Sequence, residues 1–230
     1  MKTDIKNESV IHNVIILDKS GSMDSIRTQA VGGVNETLGT IRAQQKANPD
    51  TAQLVTIVAF CSCEMTKIVD SKPISQVKNL NLDDYQPCCC TPLYDAVGTT
   101  IVKTHRLVEG NSSASVSVTI ITDGYENDSH EFDFPTASRL IAQYKKEGWL
   151  FAYIGADHDV EAVAYSLHID NALCFAKTAE GTRDMFERER NSRKAWSAKM
   201  AEIMRLKQMG MMSDEEELEE KIKSNRCYFQ

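Results

Sequence analysis

Short β-branched runs alternate with segments of helical periodicity along residues 8–176 of this 230-residue chain. Val10–Leu17 and Gln53–Phe60 are almost wholly apolar, and Ser115–Thr122 is rich in β-branched residues. Runs of this kind are typical of strands buried on both faces. The intervening stretches 23–47 and 92–108 repeat apolar residues at helical spacing. Since parallel strands need such crossover helices, the pattern predicts an α/β doubly wound, Rossmann-like sheet, mostly parallel, with helices on both faces.

Shorter elements complete the predicted domain over 8–176. Residues 64–69 are predicted to return as a hairpin partner of the second strand. Residues 149–154 and 172–175 are predicted as further strands, and 134–147 and 160–167 as helices.

The composition of the chain changes after residue 176. Residues 183–207 form a basic segment of helical composition with an apolar stripe in its second half. Gly210 is a plausible helix stop, and Ser213 with Glu216 forms a capping box for an acidic helix. Residues 177–230 are therefore predicted as a C-terminal helical extension. Two forms stay open, a helical hairpin or a segment partly disordered until it meets a partner, and self-association is one role for it.

Charge and composition exclude several classes of protein. The net charge is −7, and an acidic body disfavours nucleic-acid binding, which needs clustered positive charge. No run approaches the roughly 20 apolar residues that cross a bilayer, so no membrane partner is expected. The polar start MKTDIKNESV is not a secretory signal, and a cytoplasmic location is the expectation. The seven cysteines therefore do not predict a disulfide framework.

Oxygen-bearing side chains follow two of the buried strands. Asp18 comes directly after the first strand, with Ser20 and Ser22 behind it, and Asp123 follows the third strand. Open α/β sheets bind ligands at this carboxyl edge, and Thr91 opens a helix that faces it. Thr91 is predicted as the N-cap of that helix, with Pro92 at its first position. Carboxylates and hydroxyls without nitrogen or sulfur are typical ligands of Mg²⁺.

The spacing Asp18-x-Ser20-x-Ser22, followed by Thr91 in TPLYDA and by Asp123-Gly124, resembles the metal-ion-dependent adhesion site of von Willebrand factor type A domains. The resemblance covers residues 8–176 and is to the stand-alone intracellular type of bacteria or phages. It implies a six-stranded sheet and a non-enzymatic interaction module. It also implies one Mg²⁺, sometimes Mn²⁺, with an unidentified protein partner supplying a Glu or Asp to the ion. The implied metal ligands are Asp18, Ser20, Ser22, Thr91 and Asp123. The hypothesis requires Thr91 near both aspartates and no lysine amine between them.

Two other functions stay open. A phosphatase of the haloacid dehalogenase type would use Asp18 as nucleophile, but it needs a carboxylate where this chain has Ser20. A structural scaffold with a vestigial metal site is the second alternative. Phosphate-binding loops are absent from the sequence, and Gly32-Gly33 lies within a helical pattern, where it predicts close approach of helix and sheet.

Two further groups of residues have open roles. Cys61, Cys63 and Cys88–Cys90 are predicted near the metal site, as a thiolate zinc site, a redox switch, or thiols with no role. Asp157-His158-Asp159 follows a predicted strand, either on the rim of the same edge or as the cap of the next helix.

Overall fold

A computed structural model describes residues 9–229, and residue 8, the predicted start of the domain, lies outside this range. The strands are β1 Val10–Asp18, β2 Ala52–Cys61, β3 Glu64–Pro73, β4 Ala114–Thr122, β5 Leu150–Gly155 and β6 Asn171–Cys174. The helices are α1 Arg27–Ala47, α2 Leu93–Val108, α3 Phe134–Lys146, α4 Val160–Ser166, α5 Ala179–Gln208 and α6 Asp214–Asn225. No helix in the described range is both long and apolar enough to span a bilayer.

The six strands form one sheet in the order β3-β2-β1-β4-β5-β6. All neighbours pair in parallel except the β2–β3 hairpin. The predicted mostly parallel, six-stranded α/β sheet is confirmed. Asp18 is in register with Phe60 of β2, and Leu17 with Ile121 of β4, so the ends of β1 and β4 meet at one edge.

Helices cover both faces, as predicted. Ile15 and Leu17 of β1 pack in a core that includes residues of α1 and α5. Val14 and Ile16, on the opposite face, pack with residues of α2, α3 and α4. Every residue of β1 is buried, which explains why its sequence is an apolar run without alternation.

The predicted C-terminal helical extension is present as α5 and α6. Both helices begin with capping side chains, Thr178 for α5 and the predicted Ser213–Glu216 capping box for α6. Gly210 has a φ of 69°, which suits the predicted stop, whereas α5 begins at Ala179, earlier than residue 183. The apolar stripe of α5 is buried against Ile11 of β1 and Leu150 of β5. Self-association through the C-terminal helices stays a prediction, and it would have to use their other faces.

A buried arginine joins α5 to the centre of the sheet. The Arg193 side chain is 1% exposed and pairs with Glu189, one turn earlier in α5. Its guanidinium also donates to the side-chain oxygens of Asn13, Ser117 and Thr119, at 2.8, 3.0 and 2.8 Å. These acceptors belong to β1 and β4. The guanidinium is therefore neutralised by Glu189 and hydrogen-bonded to the sheet, which a buried charge requires.

The beginning of the first helix differs from its prediction. Residues 21–26 form a 3₁₀ helix, and α1 starts only at Arg27. Tight i→i+3 turns are common at helix starts, and apolar spacing does not distinguish them from α-helix over one turn.

The glycine pair in α1 serves a helix–helix contact. A Cβ on Gly33 would lie 2.0 Å from the Phe186 ring of α5, whereas a Cβ on Gly32 would meet no atom within 4 Å. The sequence predicted that these glycines let the helix approach the sheet closely. That prediction is wrong, because the element that approaches α1 at Gly33 is α5.

This difference gives a matched pair of variants. We expect Gly33→Ala to lower the free energy of unfolding by about 1–3 kcal/mol because the Phe186 ring must move. Gly32→Ala should raise it by up to about 1 kcal/mol through helix propensity. Urea unfolding of the two variants checks this, and effects of the same sign would contradict the packing described.

Candidate metal centre

The predicted site residues around β1 and β4 are brought together by short hydrogen bonds. Ser20 donates its backbone N–H to Asp18 Oδ1 at 2.6 Å, and the hydroxyls of Ser20 and Ser22 are 3.1 Å apart. Ser22 then donates to Asp123 Oδ1 at 2.6 Å. Four of the five predicted ligands thus form one hydrogen-bonded group at the carboxyl edge of the sheet.

The loop that leads to Thr91, the fifth predicted ligand, is bonded to the loop that carries Ser20 and Ser22. Gly21 N–H donates to the carbonyl of Cys89 at 3.1 Å, and Cys88 N–H to that of Lys19 at 2.8 Å. These bonds join the loop that leads to Thr91 to the loop that follows Asp18. Within residues 9–229, no hydrogen bond links the Thr91 hydroxyl to the other four side chains, so its direct participation stays a prediction.

The predicted capping role of Thr91 is wrong. α2 begins at Leu93, its N-cap is Pro92, and no side chain makes the usual capping bond there. The N–H of Tyr94 instead donates to Glu126 and Ser129 from the loop after β4. Since other side chains satisfy the helix start, the Thr91 hydroxyl is not committed to capping.

The Asp18 carboxylate is buried and accepts hydrogen bonds at both of its oxygens. Its Oδ2 accepts a hydrogen bond from Thr122 Oγ1 at 2.6 Å. Burial raises the pKa of Asp18 to about 6, and the charge of Asp123 acts in the same direction, while the hydrogen bonds from Thr122 and Ser20 oppose it. Two neighbouring carboxylates held out of water are stabilised by a bound cation.

A lysine amine lies against Asp123. Lys177, between β6 and α5, places Nζ 2.5 Å from Asp123 Oδ2 and 3.7 Å from Asp157. The Lys177 side chain is 18% exposed and that of Asp123 is fully buried. The hypothesis excluded a lysine amine between Asp18 and Asp123. Within the described residues Lys177 pairs with Asp123 and Asp157 and has no ion pair with Asp18, so the amine contacts one of the two aspartates and does not bridge them. A cation bound to Asp123 must share this carboxylate with Lys177 or displace the amine.

Asp157-His158-Asp159 fulfils both roles considered from the sequence. Asp159 caps α4 by accepting from Ala162 N–H at 3.0 Å. Asp157, with a φ of 57°, reaches the rim of the site through its contact with Lys177. His158 faces inward and pairs with Tyr153, with 3.0 Å between its Nε2 and the phenol oxygen.

The donor set fits a hard divalent cation. It consists of carboxylate and hydroxyl oxygens, which suit Mg²⁺ or Mn²⁺ better than zinc. Asp123 Oδ2 is buried and is neutralised by the Lys177 ammonium 2.5 Å away. This carboxylate oxygen already faces a cation, and a metal ion could take the same place.

Sequence reasoning missed two side chains that shape the site. Thr122 is the last residue of β4, and its place directly before Asp123 was a signal for a further hydroxyl at this edge. Lys177 gave no signal, because it follows the sixth strand and reaches Asp123 only through the folding of the chain.

The comparisons with known proteins support the fold. No family model and no curated protein matches the chain. The solved structure of a von Willebrand factor type A protein from Catenulispora acidiphila is similar over 84% of this chain and 43% of its own, with a TM-score of 0.53 and 16% identity. The SpRpn10 VWA domain is similar over 77% of this chain and 93% of its own, with a TM-score of 0.53 and 11% identity. The fold is that of von Willebrand factor type A domains.

A third similar structure is larger than this chain. Proximal thread matrix protein 1 from the mussel byssus is similar over 78% of this chain, with a TM-score of 0.55 and 15% identity, and the chain spans 44% of its length. At these identities the likeness to type A domains is one of fold.

Proposed function

We propose that this von Willebrand factor A fold is a non-catalytic protein-interaction module that binds one Mg²⁺, or Mn²⁺, at the carboxyl edge of its sheet. The proposed ligands are Asp18, Ser20, Ser22, Thr91 and Asp123. The bound ion would supply an open coordination position for a Glu or Asp of a partner protein. The observation that carries the proposal is the hydrogen-bonded group formed by Asp18, Ser20, Ser22 and Asp123, whose last two members are 101 residues apart in sequence.

The chemistry of this group argues against the phosphatase alternative. That reaction needs an acid or base two residues after Asp18, and this position is Ser20, whose hydroxyl contacts Ser22. A serine hydroxyl is not ionised near neutral pH and cannot replace a carboxyl group in proton transfer. We therefore propose no bond-making step at this site.

One observation favours the second candidate, a scaffold with a vestigial metal site. Lys177 already places a positive charge against Asp123, and an ammonium group can neutralise a carboxylate where a metal is lost. The two candidates differ in one measurable property, which is whether Mg²⁺ binds.

Calorimetric titration of the metal-free protein with Mg²⁺ and Mn²⁺ tests the proposal. We expect one ion to bind per chain and Asp123→Asn to weaken its binding by about 100-fold or more, because it removes a ligand charge. Asp184→Asn, on the exposed face of α5, is the matched control and should bind like the wild type. Capture of the partner should require Mg²⁺, stop in EDTA and fail with Asp123→Asn.

Lys177→Met separates the two candidates further. Removing the competing amine should strengthen Mg²⁺ binding, by about tenfold if the contact contributes about 1.4 kcal/mol. If neither the wild type nor Lys177→Met binds Mg²⁺ or Mn²⁺, the metal-dependent function is wrong and the scaffold remains.

A further inference from the structure

Four cysteine thiols from two separate loops meet beside the candidate metal centre. Cys61 ends β2 and Cys63 lies in the β2–β3 turn, while Cys88 and Cys89 belong to the loop before Thr91. The Sγ atoms of Cys61 and Cys88 are 3.3 Å apart, and those of Cys63 and Cys89 are 2.8 Å apart. The sulfurs of Cys61, Cys63 and Cys88 all lie within 4.8 Å of one another. Three of the thiols therefore form one compact group, and Cys89 adjoins it through its contact with Cys63.

Backbone hydrogen bonds hold the two loops in this arrangement. Ser62 N–H donates to the carbonyl of Cys90 at 3.2 Å, and Cys90 N–H donates to Ser62 Oγ at 3.2 Å. Cys89 adopts a φ of 60°, a left-handed conformation that residues other than glycine rarely take. Side chains held together by a fixed backbone need little rearrangement to bind a common ligand.

A buried positive charge lies next to the thiols. The Lys19 side chain is 5% exposed, pairs with Glu64 and interacts electrostatically with Cys61 and Cys88. Four thiolates around a divalent ion carry a net charge of about −2. An adjacent ammonium group partly offsets that charge, and so the surroundings suit a metal thiolate centre.

We propose that Cys61, Cys63, Cys88 and Cys89 bind one Zn²⁺ as a tetrahedral tetrathiolate site. Zinc–sulfur bonds of about 2.3 Å place tetrahedral sulfurs about 3.8 Å apart. The two close pairs would therefore open slightly, and the exposed Cys89 side chain would turn toward the other three sulfurs. Binding exchanges the thiol protons of the four cysteines for one metal ion, and the protons pass to the solvent. No electron is transferred.

This site differs from the Mg²⁺ site in its chemistry, and it stands without the proposed function. Sulfur ligands select a soft or borderline ion, while the oxygen ligands of the neighbouring site select a hard one. Both sites share the loop that ends at Thr91, since this loop carries Cys88 and Cys89. The carbonyl of Cys89 also accepts a hydrogen bond from Gly21 N–H, in the loop that follows Asp18. A zinc ion would therefore fix the loop that carries the fifth predicted Mg²⁺ ligand.

Metal analysis of the full chain, purified with a phosphine reductant and loaded with ZnCl₂, tests the proposal. We expect about one zinc per chain after gel filtration and, with Co²⁺ instead, the absorption of tetrahedral cobalt thiolate. Cys63→Ser with Cys89→Ser, at two exposed positions, should lose zinc and the cobalt spectrum. The matched control, Cys174→Ser with Cys227→Ser, also changes two exposed thiols and should keep both. Circular dichroism verifies that each variant is folded.

Three results would overturn the proposal. The first is a wild type without zinc whose seven thiols all react when it is folded. The second is equal zinc content in the two double variants, which would place the metal elsewhere. The third is a cobalt-loaded wild type without the absorption of tetrahedral cobalt thiolate, which would exclude four sulfur ligands.

Discussion

Replacing Arg193 with alanine is expected to lower the free energy of unfolding by about 3–5 kcal/mol, as removal of one partner from a buried ion pair does. The substitution leaves the Glu189 carboxylate 2% exposed without its cation. It also removes the donor from Asn13, Ser117 and Thr119 in the centre of the sheet. Thermal and urea unfolding measure the loss.

Arg190 provides the matched control in the same helix. It pairs with Glu36, whose side chain is 63% exposed, and such surface pairs contribute about 0–1 kcal/mol. Arg190→Ala should therefore cost far less than Arg193→Ala. Similar losses for the two variants would show that the buried network does not hold α5 on the sheet.

Acidification is expected to weaken the fold through His12 in β1. Burial lowers the pKa of His12 to about 4 from its ordinary value of 6.5. The unfolded chain then binds a proton between pH 6.5 and 4 that the folded chain does not, so stability falls as the pH falls through this range. A difference of about 2.5 pKa units corresponds to a loss of up to about 3 kcal/mol.

A comparison with His12→Leu isolates this effect. Asp18 acts in the opposite direction below about pH 6, because its raised pKa favours the protonated folded form, but it is present in both proteins. Urea unfolding at several pH values should therefore show the wild type losing stability relative to the variant between pH 6.5 and 4. A constant difference would contradict the prediction for His12.

The fold was predictable because its central strands, β1 and β4 above all, are buried on both faces. An apolar run such as Val10–Leu17 indicates a central parallel strand without alignment or template. The helical extension was predictable from capping residues, since Ser213 and Glu216 act locally. The predicted helix starts were less accurate at residues 23–26 and at Thr91. The 3₁₀ turn, and the hydrogen bonds that Glu126 and Ser129 accept at the start of α2, depend on tertiary contacts.

The candidate site was predictable where its residues follow strands directly. Asp18 and Asp123 continue β1 and β4, and the parallel order of those strands brings both to one edge. Lys177 could not be predicted in the same way, since its position depends on the path from β6 into α5. The metal itself stays a prediction from the chemistry of the oxygen atoms.

The buried polar network left a signal in the sequence that periodicity can reveal. Ser115, Ser117 and Thr119 alternate along β4 and therefore point to one face, and the last two accept hydrogen bonds from Arg193. A polar row on a strand buried on both faces indicates a polar partner across from it. The partner, Arg193, lies 74 residues beyond Thr119, too far for local patterns to identify.

The dependence of the central strands on α5 also bears on how the protein is made. The ribosome releases the N-terminal part first, so β1 and β4 leave the exit tunnel well before Arg193. Until α5 is made, Asn13 lacks its hydrogen bond from the Arg193 guanidinium. Ile11 likewise lacks the apolar side chains of α5, such as Trp196, that pack in the same core. Completion of this face accordingly waits for the synthesis of α5, and slow elongation before α5 would prolong the exposure of the sheet to chaperones and proteases.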